Sequence, residues 1–163
     1  MNLEQAQQLI RELGVELGGQ SDSYTLDEQG EANLVFDDEV PVLIRFADPT
    51  LVLACAIAVD VRADDPGLFA TLMDYQFMGL RTFGCVLSWN SAADSLVLSR
   101  QLHGEPTSAQ LAHELNILLR AGREVREDLL PLLEGDLAFA SGEEDSAEQA
   151  RPAELAPMMF NRA

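Results

Sequence analysis

Histidines, cysteines, serines and paired carboxylates are the residues with which this chain could do chemistry, and each kind is thinly supplied. His103 and His113 are the two histidines among 163 residues. Neither has a cysteine or carboxylate at the spacing of a metal site. Ser88 and Ser99 lie in alternating apolar runs without a GxSxG elbow, and the glycines match neither GxxxxGKS nor GxGxxG. Cys55 and Cys85 also lie in apolar runs, with no spacing of a disulfide framework or zinc site, so they read as small hydrophobes. The pairs Asp37-Asp38 and Asp64-Asp65 could hold a cation or share a proton. Both fall in turns between apolar elements, where aspartate caps the chain and stays hydrated. Trp89 and Tyr75 stand alone, as packing aromatics do. The expectation is therefore no catalytic residue, no metal and no cofactor, and a function that consists of association.

Bulk properties narrow the partner. A chain of this length with 47% hydrophobic residues builds one domain with its own core. The formal net charge is −18, and the ten basic residues, all arginine, are scattered. Such a balance opposes phosphate backbones and anionic membranes. The first residues, MNLEQAQQLIRELG, show no basic stretch followed by an apolar one, and no apolar run approaches the length of a membrane span. These features predict a soluble, cytoplasmic protein that binds no nucleic acid and does not insert into membranes.

Leu3, Ala6, Leu9, Ile10, Leu13 and Leu17 recur at helical spacing, predicting a helix over 3–17 that Gly18 and Gly19 end. SYTLDEQGEANLVFDD predicts a strand, a turn at Glu28 to Gly30, and a second strand in which Leu34 and Phe36 share a face. Val40, Val42, Ile44 and Phe46 alternate on a further strand, with Pro41 marking an edge or an N–H that nothing needs. From Leu51 to Val61 both faces are apolar. Leu51, Leu53, Cys55, Ile57 and Val59 point one way; Val52, Ala54, Ala56 and Ala58 point the other, small enough for a helix to lie close. Pro66 opens a short helix, GLFATLMDYQFMG, that is apolar around more than one stripe. RTFGCVLSWN and DSLVLSRQLH form a hairpin about Asn90 to Asp94. Thr107 caps a long helix over 108–133 with Gly135 as its stop. The whole predicts an α+β domain over residues 1–135, a mainly antiparallel twisted sheet flanked by three helices in α-β-β-β-α-β-β-α order. The polar, acidic run over 136–163 predicts a flexible tail, although Met158, Met159 and Phe160 near its end suit an apolar groove.

A sheet apolar on two faces needs a second cover. A soluble monomer seldom leaves more than a few hundred Å² of contiguous apolar surface wet, and a two-fold homodimer covers one self-complementary patch with another. A monomer closed by its own third helix is the alternative.

These elements resemble the class I type III secretion chaperones, the Tir-chaperone family. The resemblance rests on LIRELGVELG, the pair YTLDEQGEANLVFDDEVPVLIRF with its Leu34, Phe36, Asp37 and Asp38, the strand LVLACAIAVDV, the helix ending in MG, the hairpin GCVLSWNSAADSLVLSRQL and the helix near PTSAQLAHELN, and it covers about residues 1 to 133. It implies a small acidic homodimer in the cytoplasm of a Gram-negative bacterium. Such a protein holds an N-terminal segment of a secreted effector in extended form, without ATP. By position it implies a dimer interface of Leu68, Phe69, Leu72, Met73, Cys85 and Leu87, and an effector groove of Leu9, Leu13, Val35, Leu43 and Val52. The residues alone leave open a module of the same fold that sequesters a folded regulator, or a small enzyme with His103 or His113 beside carboxylates.

Overall fold

The computed structural model describes residues 1–19, 24–36, 40–58 and 66–140. Helix α1 (Leu3–Glu16) starts on a capping box: the Asn2 side chain accepts from the Gln5 N–H, and the Gln5 side chain accepts from the Asn2 N–H. It ends in a paired turn that needs Gly18 at positive φ, with the Gly18 N–H on the Val15 carbonyl and the Gly19 N–H on Gly14. Strands β1 (Glu31–Phe36), β2 (Val40–Ala47) and β3 (Thr50–Ala58) follow, then α2 (Pro66–Gln76), β4 (Val86–Asn90), β5 (Ser95–Leu102) and α3 (Ser108–Ala140). All strand pairs are antiparallel, in the order β1-β2-β3-β5-β4. This is the expected α+β class and element order.

One face of the sheet makes the core. Val42 and Ile44, then Leu51, Leu53, Cys55 and Ile57, then Leu96 and Leu98 are all nearly inaccessible. They meet Ile10 and Leu13 of α1 and Leu111, Leu115, Leu118 and Val125 of α3, which are buried in the same cluster. Removing side chains of this size from water stabilises the fold by about 1.5–3 kcal/mol each.

Four details differ from the sequence reading. Residues 24–27 form no strand, because α1 claims them: the Leu26 N–H donates to Gln7 Oε1 at 3.1 Å, and Tyr24 lies so close over Gly14 that a Cβ there would sit 2.5 Å from its ring. Pro41 lies opposite Val35 on an interior strand, not an edge. The β2–β3 register begins only at Val42, so the other reading of this proline holds, an N–H that nothing needs. The close helix approach falls on the large-residue face of β3, with the small residue on the helix: a Cβ at Gly122 would stand 3.1 Å from Cys55 Sγ. Finally, α3 runs through Gly135 to Ala140. A lone glycine costs a helix only about 1 kcal/mol relative to alanine, and Leu132, Leu133, Leu137 and Ala138 on either side of it are good helix formers. Val59, Val61, Asp37-Asp38, Asp64-Asp65 and residues 141–163 lie outside the described residues.

Arg126 ties α3 to the irregular end of β3. The β3–β5 register shifts between Ala56 and Ala58, and Arg126 donates to the Ile57 carbonyl at 3.1 Å and the Ala56 carbonyl at 3.0 Å. Carbonyls that a bulge takes out of a ladder need such a donor.

Candidate protein-binding surfaces

Two apolar stripes explain why α2 reads as greasy all round. Leu68, Leu72 and Tyr75 point inward and are buried, whereas Met73 is 64% exposed and Phe69 also reaches solvent. The chain then leaves the helix through a 3₁₀ turn, Phe77–Gly79, with Met78 left-handed at φ 53. Met78 and Leu80 are 78% and 74% exposed, and Phe77, Phe83 and Val86 are open as well. Seven large apolar side chains thus follow one another along the outer side of α2, the turn and the start of β4.

That segment is held firmly despite its exposure. Buried Thr82 donates its hydroxyl to the Cys85 carbonyl at 2.6 Å, and the Gly84 N–H donates to the Gly79 carbonyl at 2.9 Å. Beside it, Tyr75 donates to Asp128 of α3, Arg81 pairs with Asp128 at 3.2 Å, and the Arg81 guanidinium lies 3.8 Å over the Tyr75 ring. Burial and the Asp128 bond push the Tyr75 hydroxyl up to about 12. Charged groups therefore border the apolar surface while its centre is hydrophobic.

The second surface is the sheet face that no helix covers among the described residues. Register places Asn33, Leu43, Ala54, Ser99 and Val86 in one row across all five strands. Each is partly or fully exposed, and Val86 joins this row to the first surface. Val35, 67% exposed, and the partly exposed Val52 lie on the same face.

The two sheet edges are unequal. At β4, the Gln76 carboxamide from α2 stands where a neighbouring strand would. Its oxygen accepts from the Leu87 N–H at 2.6 Å and its nitrogen donates to the Cys85 carbonyl at 3.5 Å. No described strand pairs with the outer side of β1.

The residues expected to bind therefore divide. Val35, Leu43 and Val52 share the open face, while Leu9 and Leu13 are in the core beneath α1. Phe69 and Met73 face outward, while Leu68, Leu72, Cys85 and Leu87 are buried within the protomer. The expected interface left out the exposed Phe77, Met78, Leu80, Phe83 and Val86, although Phe77 and Met78 stand in the apolar run GLFATLMDYQFMG. The signal was the run FMGL, which continues an apolar stripe after helical geometry ends. His103 lies beyond β5, its Nδ1 3.3 Å from Thr50 Oγ1, and His113 is exposed on α3. Among the described residues no three histidine, cysteine or acidic side chains come together as a metal site would require. No described helix is long and apolar enough to cross a membrane.

The family model described as the Tir chaperone protein (CesT) family matches residues 8–126. The chain belongs to this family. No curated protein matches it in sequence. Among solved structures, a chain of the HopA1–SchA chaperone–effector complex is 18% identical, with a TM-score of 0.63 over 78% of this chain and 98% of that one. A chain of the ExsC–ExsE complex is 24% identical, with a TM-score of 0.58 over 80% and 95%. The ExoU–SpcU heterodimeric complex of the Pseudomonas aeruginosa type III secretion system supplies a third, 18% identical, TM-score 0.57, over 77% and 98%. At these identities the likeness is one of fold. The family match ends at 126, inside α3, so the CesT-type core takes in both surfaces and the last turns of α3 lie beyond it.

Proposed function

We propose that this CesT-family chain is a type III secretion chaperone. It acts in the cytoplasm as a homodimer, without catalysis, and binds an extended N-terminal segment of a secreted effector. The observation that carries this reading is the coexistence of two apolar surfaces with different shapes. The protruding surface of α2 and the turn after it suits a second copy, since large side chains on a held backbone can interlock about a two-fold axis. The open face is flatter, floored by alanine, serine and valine, and runs out to a β1 edge with which no described strand pairs. An extended chain can lie along that edge, with backbone hydrogen bonds for affinity and alternate side chains against the floor. Gln76 already occupies the Leu87 N–H and the Cys85 carbonyl at the start of the β4 edge, which favours β1 as the edge for the client. The net charge of −18 keeps such surfaces soluble.

Affinity capture of the tagged protein from its own bacterium, with mass spectrometry and limited proteolysis of the complex, tests the client. One secreted protein protected only over an N-terminal segment is expected; a compact folded partner would point instead to sequestration of a regulator. Self-association is tested by Met73→Glu. A charge in the centre of a buried apolar contact is costly, so the variant should sediment as a monomer with unchanged circular dichroism. A dimer as tight as wild type would move the interface off α2.

A further inference from the structure

The apolar surface beyond α2 is built around a residue in an uncommon backbone conformation. Phe83 has φ 52, a left-handed value that bulky side chains rarely adopt. Its carbonyl accepts from Arg100 Nη1 at 3.0 Å, and its ring lies 4.8 Å from the Arg120 guanidinium of α3. Arg100 itself sits on β5 and pairs through Nε with Glu114 of α3. Gly84, next to Phe83, is also left-handed at φ 77, a conformation that glycine adopts freely. One guanidinium thus joins three parts of the protomer: the last strand, the long helix and the exposed turn.

Arg100 is only 22% exposed and approaches the turn from within, whereas Phe83 and Val86 reach solvent. A partner copy would meet the ring and the valine, not the guanidinium. A surface whose backbone is already set loses less conformational freedom on association, and a planar guanidinium can hold a carboxylate and a carbonyl at once where an ammonium is a single point.

We propose that Arg100 is a positioning residue for self-association: by holding the Phe83 carbonyl while anchored to Glu114, it presets the aromatic ring that the second copy packs against. This rests on the homodimer reading above.

The test is a double-mutant cycle on the full chain, reading the dimer dissociation constant by sedimentation velocity over a dilution series. Arg100→Met should weaken the dimer about tenfold, which is about 1.4 kcal/mol, and Phe83→Ala by a similar factor. If Arg100 acts through Phe83, the double variant should be no weaker than either single one, because the two changes remove the same interaction. Factors that multiply, or an Arg100→Met dimer as tight as wild type, would overturn the proposal. Should Arg100→Met fail to fold, Arg100→Lys keeps a charge against Glu114 but cannot span to the Phe83 carbonyl; it should weaken the dimer several-fold, and an unchanged constant would equally overturn the idea. A wild-type chain that stays monomeric throughout the series would remove the homodimer reading itself, whereas failure of the positioning role leaves wild type dimeric.

Discussion

The two faces of this one sheet differ in kind. The covered face is lined by leucine, isoleucine and valine that α1 and α3 enclose. The open face carries alanine and serine at its centre, with valines and Leu43 partly exposed around them. Large side chains interdigitate with a fixed neighbour and reward permanent burial. Small ones leave a shallow floor that costs little when wet and can receive different segments in turn. The difference teaches that apolar residues occur on both faces of a strand, and that side-chain size separates the face that folds the protein from the face it leaves open.

The comparison can be broken at its strongest point first. Leu53→Ala on the covered face should cost about 2–5 kcal/mol, as cavity-forming changes in a close-packed core do, read as a lower urea midpoint. A loss below about 0.5 kcal/mol would mean that this face is not the folding core. Alkaline pH probes the same face through Cys55, which burial beside α3 pushes up to about 11. Its folded value lies above its unfolded one, so the stability it contributes is whole below about pH 9 and is lost as pH rises toward 11. Denaturation midpoints should fall across that window, and less steeply in Cys55→Ala. At the smallest end, Ala54→Asn on the open face should move the stability of the free protein by no more than about 0.5 kcal/mol. The same change should weaken client capture. A large stability loss at 54 would show that the face is covered in the free protein.

Much of the fold was legible because local chemistry and periodicity agreed. The capped start at Thr107, the alternation from Val40 to Phe46 and from Leu51 to Ile57, and the hairpin about Asn90 to Asp94 all name their elements without a tertiary partner. The site was less legible. Leu68 and Leu72 share α2 with Phe69 and Met73, and periodicity finds two stripes there without saying which one the protomer uses. Cys85 and Leu87 flank Val86, yet only the valine stays open, since β4 turns its alternate residues to opposite faces. Leu9 and Leu13 suit a groove as well as a core in sequence; the packing of α1 against α3 puts them in the core.

By itself, then, the sequence determined the class, the order of elements, the acidic character and the absence of a motif for catalysis, because each depends on neighbours along the chain. Tertiary structure decided the rest. It assigned the large-residue face of β3 to α3, kept residues 24–27 out of the sheet by packing them on α1, and set Gln76 against the start of the β4 edge. It also set Phe83 in its left-handed turn over Arg100. Each of these outcomes depends on groups from different elements meeting at the same surface or hydrogen bond, and the pattern within one element does not contain the other.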